Sequence, residues 1–121
     1  MPPTPAIFSP QSRVELKRPV DACLELSAIQ GDCFEGPHGA IGKWDVSRVT
    51  DMNKMFANAH SFNGDISKWD VSRVTALSSM FAGANLFNGD LSKWDVSSVV
   101  DMSVMFWGAS SFNSDISSWD M

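Results

Sequence analysis

Residues 44–68 read WDVSRVTDMNKMFANAHSFNGDISK, and the two stretches that follow, 69–93 and 94–118, say almost the same thing again. Trp-Asp pairs recur at Trp44, Trp69, Trp94 and Trp119, an interval of 25 residues. The same interval relates Phe56, Phe81 and Phe106; Phe62, Phe87 and Phe112; and Asn63, Asn88 and Asn113. A unit of this length cannot bury its own apolar face but can cover that of its neighbour. The expected fold is therefore an α/β repeat solenoid with a short parallel sheet and short helical turns, its identical columns spaced about 4.8 Å apart.

Inside each unit the pattern changes character. Met52, Met55, Phe56 and Ala59 follow the i, i+3, i+4, i+7 spacing of a helical stripe, with Thr50 or Asp51 placed to cap it. Leu77, Met80, Phe81 and Ala84 repeat the stripe, as do Met102, Met105, Phe106 and Ala109, and Gly83 and Gly108 suit a tight end to it. From Phe62 the spacing becomes extended, which predicts short strands at 62–68, 87–93 and 112–118. Pattern alone does not decide which of the two segments owns the sheet.

The chain divides into 1–36, a Pro-rich extended arm plus an N-terminal helical cap, and 37–121, the units 44–68, 69–93, 94–118 and a partial 119–121. Ser12-Arg13-Val14-Glu15 reads as a capping box opening a helix. Pro19 either stops or kinks that helix or sits in the first turn of a second, on which Val20, Cys23, Leu24 and Ser27 share a face. A Gly-rich crossover from Gly31 to Gly42 ends in Ile41-Gly42-Lys43-Trp44, a copy of Ile66-Ser67-Lys68-Trp69. Cys23 and Cys33 could form a disulfide, stay as two buried thiols or, with less support from their spacing, bind metal. Trp119-Asp120-Met121 opens a fourth unit with no cap, so the expectation is a fragment or a partner covering the last coil.

The Phe, Met, Val and Ile columns read as core. The tryptophans either pack with each indole N–H on a carbonyl or form an exposed stacking ridge. The Asn column is an internal ladder or a ligand-reading row. The Asp45/70/95/120 and Asp65/90/115 columns need either backbone N–H groups or calcium to offset their repulsion. Positions where the units differ face outward, which makes Lys54, His60, Val104 and Trp107 a candidate interaction surface, joined by Trp119 and Met121 of the unfinished fourth unit. His38 and His60 are the only histidines and neither has a triad context, so the reading is non-enzymatic, without cofactor or metal.

A formal charge of −5, from nine basic against fourteen acidic residues, argues against nucleic acid. No apolar run approaches the length of a membrane span. Met1–Pro5 has neither the basic start nor the apolar core of a secretory signal, which leaves the compartment open.

The string W-D-V-S…V-T-x-M…M-F…F-N-x-D-I-S over residues 37–121 resembles the BspA-like surface-protein repeat, the domain of unknown function 285, a relative of the leucine-rich repeats. Departures are Val100 for the usual Thr, Ala76 for Asp and Ser114 for Gly. The resemblance implies leucine-rich-repeat-like coils and a surface or adhesion role, with no catalytic residue to carry over. The lead-in VDACLELSAIQGDCFEGPHGAIGKWDVS is similar to algal and other protist versions. The expected function is a non-catalytic protein-interaction or structural module, docked in a larger assembly by a protein partner on its last coil. The alternative is a cell-surface adhesion domain binding a protein or glycan. The location would be extracellular, at the cell surface or in an organelle-associated assembly.

Overall fold

The computed structural model describes residues 7–26, 33 and 37–119. Helix α1 spans Arg13–Leu26. Ser12 opens it: its Oγ accepts the Glu15 N–H at 3.3 Å and its carbonyl accepts the Leu16 N–H at 3.1 Å. Pro19 neither stops the helix nor splits it in two; α1 runs through it. Leu16, Val20 and Cys23, at i, i+4 and i+7, are buried on the face turned towards the units. Cys23 and Cys33 are joined by a disulfide with Cα atoms 5.3 Å apart. Ser27 lies outside the described residues, as do 1–6 of the Pro-rich arm.

The expected α/β solenoid of leucine-rich-repeat-like coils is not what forms. Among the described residues the chain is almost entirely turn and loop, with one α-helix, a short 3-10 turn at Ile41–Lys43 and no β-strand. Parallel pairing among the described residues is confined to two isolated bridges, Asp51 with Ala76 and Ala76 with Asp101. These lie beside the segments expected to be helical, and the expected strands at 62–68, 87–93 and 112–118 are turns and extended loop.

The reason is in the direction of successive amides. Lys54 (φ 60°), Ser79 (58°) and Val104 (48°) adopt left-handed backbone, and so do Asn58 (61°), Gly83 (74°) and Gly108 (73°). Two such residues four apart prevent a right-handed helix from propagating. The amides of Met55, Ala57 and Ala59 close tight turns on Met52, Lys54 and Phe56. Those of Met52, Lys54, Phe56 and Asn58 point instead to the carbonyls of Ala76, Ser78, Met80 and Ala82 in the next unit, at 2.7–3.0 Å. Half the amides bond locally and half across, so neither a helix nor a continuous ladder results. The second unit repeats the arrangement, with Leu77, Ser79, Phe81 and Gly83 donating to Asp101, Ser103, Met105 and Trp107.

Side chains hold the units in register. Phe56, Phe81 and Phe106 stack at 5.6 Å between centroids, and Phe62, Phe87 and Phe112 at 5.6 and 6.0 Å. The indole N–H groups of Trp69, Trp94 and Trp119 donate to the carbonyls of Ile41, Ile66 and Leu91, each 28 residues back, at 2.8–3.0 Å. Asn63 Oδ1 accepts the Asn88 N–H at 2.9 Å and Asn88 Oδ1 the Asn113 N–H at 2.7 Å, so the Asn ladder exists but runs along the surface. At Gly42 an added Cβ would come within 2.5 Å of the Asp65 carbonyl, a close approach that glycine alone permits.

Candidate interaction face

The bonds between units have a polarity, and the two ends of the series therefore differ. At the positions of Ala76, Ser78, Met80 and Ala82 the carbonyls face the preceding unit. In the first unit these include Asn53 and Met55, and α1 supplies their donors: Arg13 Nε at 2.7 Å from Asn53 O and Lys17 Nζ at 3.1 Å from Met55 O. Lys17 is held in place by Asp21, one turn on, at 2.8 Å.

At the other end, Met102, Val104, Phe106 and Gly108 occupy the positions whose amides reach across in the earlier units. Among the described residues these four amides have no acceptor. Acceptors stand open beside them. Thr50 and Thr75 carbonyls take an amide from the following unit, whereas among the described residues the Val100 carbonyl and Asn113 Oδ1 take none. The Ile66 carbonyl takes both the Trp69 amide and the Trp94 indole, whereas Ile116 holds only the Trp119 amide.

The apolar columns open at the same place. Met102, Phe106, Phe112, Ile116 and Trp119 are half-buried, although the matching residues of both earlier units are buried. Beside them Val100 is 87% exposed, Val104 58% and Trp107 72%. Val104 is also a β-branched residue in left-handed backbone, an arrangement costing about 1–2 kcal/mol.

The candidate residues scatter. Val104 and Trp107 lie together on the exposed last unit, and Trp119 sits half-buried on the open face. Lys54 is exposed on the first unit, and His60 Nδ1 is bonded to Asn85 Oδ1 at 2.7 Å. Met121 lies outside the described residues. Val100 belongs with the exposed group but was not among the candidates; its only sequence signal is that it stands where Thr50 and Thr75 stand. The open amides had no signal at all, since every residue but proline carries one.

The acidic columns are built into turns. Asp45, Asp70 and Asp95, and likewise Asp65 and Asp90, each accept the N–H of the serine two residues on at 2.9–3.0 Å and its Oγ at 2.6–2.7 Å. These bonds hold the carboxyls below the usual carboxylate range, the serine hydroxyl first and its amide second. Among the described residues no group of three His, Cys, Asp or Glu side chains could hold a metal ion, and no helix is long and apolar enough to cross a membrane. Phe8, His38 and Trp44 form an aromatic cluster, with Phe8 stacked on His38 at 3.9 Å, and the Trp44 indole donates to the His38 and Gly39 carbonyls.

No curated protein and no solved structure matches this sequence. A sequence model of the family described as "Mycoplasma protein of unknown function, DUF285" matches residues 26–121, most of the chain and all of the units. The chain belongs to that family.

Proposed function

We propose that this chain is a non-catalytic protein-interaction module that docks into a larger assembly through its last unit. The observation that carries this reading is the exposure of Val100, Val104 and Trp107 on one unit, where the other two carry Thr50 and Thr75, Lys54 and Ser79, and Ala57 and Ala82. Val104 supports it further: an exposed side chain that costs stability in the isolated chain has a use if it gains contacts in a complex. The test is photo-crosslinking in the source cells, with the reactive side chain at position 107 and, as a control, at exposed Arg73 of the second unit. A discrete protein product from position 107 and none from position 73 is expected. No product, or equal products from both, overturns the reading.

The resemblance to BspA-like surface proteins and the exposed ring of Trp107 support a second reading, an adhesion domain at the cell surface whose ligand is a glycan. Saturable binding to one glycan, abolished by W107A, would favour it over the first.

A further inference from the structure

We propose that α1 is a thiol-released cap: reduction of the Cys23–Cys33 disulfide by a dithiol undocks the helix from the first unit while the units stay folded. The molecule is held together unequally. Between the first and second units, and again between the second and third, a row of four backbone amides crosses and two pairs of phenylalanine rings stack. α1 buries only Leu16, Val20 and Cys23 of its 14 residues, with Leu24 half-buried, and adds hydrogen bonds from Arg13 and Lys17. A helix of this length is marginal in water by itself. Pro19 weakens it further, since in the middle of α1 it gives the Glu15 carbonyl no amide and crowds it. The disulfide supplies what the packing lacks, tying the last turn of α1 to Cys33, ten residues on.

The bond can be reached. Cys23 and Cys33 are each 3% exposed, yet among the described residues they line a pocket of about 310 Å³, partly open to solvent, with Pro19, Pro37, His38 and Trp44. A thiolate entering there attacks one sulfur; the S–S bond breaks, and the other sulfur leaves as a thiolate and takes a proton. The second thiolate of the reductant then displaces the first sulfur from the mixed disulfide, and that sulfur is protonated in turn. Two electrons and two protons thus end on Cys23 and Cys33 as thiols, and the dithiol ends as a disulfide. Without the bond, α1 keeps too few contacts to offset the ordering of its residues. Its departure uncovers the carbonyls of Asn53 and Met55 and the apolar columns beneath Leu16 and Val20, so thiol redox state decides whether that face is covered.

The test compares the oxidised full chain with the same chain in dithiothreitol, its two thiols counted by alkylation of an aliquot. α1 is the one α-helix among the described residues, so the far-UV helical signal reports on the cap and the near-UV signal of the stacked rings on the units. Reduction should lower the first and leave the second. Tryptic cleavage after Arg13 and Lys17 should accelerate by about thirty- to hundredfold, and cleavage after Lys68 and Arg73 should stay at least about tenfold slower than that. Reoxidation should restore both signals. A reduced chain with unchanged helical signal and unchanged cleavage overturns the proposal. Loss of the near-UV signal together with the helix overturns it too, because the cap then does not part from the units. So does a disulfide that dithiothreitol reduces only in denaturant. P19A supplies the missing amide, so in reduced P19A cleavage after Lys17 should be at least about tenfold slower than in reduced wild type, and equal cleavage overturns the proposal. The crosslink at position 107 tests the protein-interaction reading independently of all these outcomes.

Discussion

At the first unit, the carbonyls of Asn53 and Met55 receive the Arg13 guanidinium and the Lys17 ammonium, and the apolar columns disappear beneath Leu16 and Val20. At the third, the amides of Met102, Val104, Phe106 and Gly108 have no acceptor among the described residues, and the same columns stand half-open. One sequence pattern therefore produces two unlike faces, because the amides of Met52, Lys54, Phe56 and Asn58, and of Leu77, Ser79, Phe81 and Gly83, all donate to carbonyls of the following unit. Closing the first end takes cationic donors on long side chains, which one helix carries at i and i+4. Closing the last takes acceptors at alternate residues, which a backbone supplies and a helix face does not.

The largest test of this contrast is in the phenylalanine ladder. Phe81 is stacked between Phe56 and Phe106 and also lies 4.2 Å from Phe87, so F81A should cost about 3–5 kcal/mol in denaturant unfolding. Phe106 has a ring on one side of the ladder and is half-buried, so F106A should cost about half as much. Equal costs would mean that the last face is covered in solution. Next comes the disulfide, which ties α1 to the chain entering the units. C23S with C33S should lower stability by about 2–3 kcal/mol, and reducing the wild type should reproduce the loss. R13A and K17A should each cost roughly 1–2 kcal/mol, because each leaves a part-buried carbonyl at the covered end without its charged donor.

What could be read before the structure was the set of columns, not the path of the chain between them. Met52, Met55, Phe56 and Phe62 are buried as their recurrence requires, yet the helical spacing of the first three arises without a helix. The left-handed residues that cause this are glycine only at Gly83 and Gly108; Lys54, Ser79 and Val104 give no warning, since nothing in their side chains prefers that conformation. The Ser12 cap was legible because a side chain makes it, and so was the need of the Asp45, Asp70 and Asp95 carboxylates for backbone N–H groups. The face that carries the proposed function was legible only in its apolar edge. Its amides belong to the backbone, and which way each points is set by neighbouring units.

Val104 allows a smaller test with the opposite sign. V104N removes no buried contact and replaces a β-branched residue with one that tolerates left-handed backbone, so it should stabilise the isolated chain by about 1 kcal/mol. The same substitution should weaken the crosslinked complex, because the valine contact is lost. A gain in both would remove Val104 from the interaction face.

The smallest expected effect separates what is local from what depends on a neighbour. Asp65 and Asp90 lie in units with a follower and Asp115 in the last, and all three carboxyls are held below the usual value by the serine hydroxyl two residues on, then by its amide. A carboxyl whose folded-state pKa is depressed contributes stability that is fully present above its unfolded value and is lost as pH falls through the folded one. Unfolding temperature should therefore hold steady from neutral pH down to about 4 and decline only below it. Carboxyl NMR titration should find Asp115 depressed as Asp90 is, since both bond only within their own turn. S92A should raise Asp90 towards the ordinary value and leave Asp115 where it was. If Asp115 instead titrates normally, the turn needs a following unit to hold it, and the open end differs from the closed one in its local structure as well as in its unmet bonds.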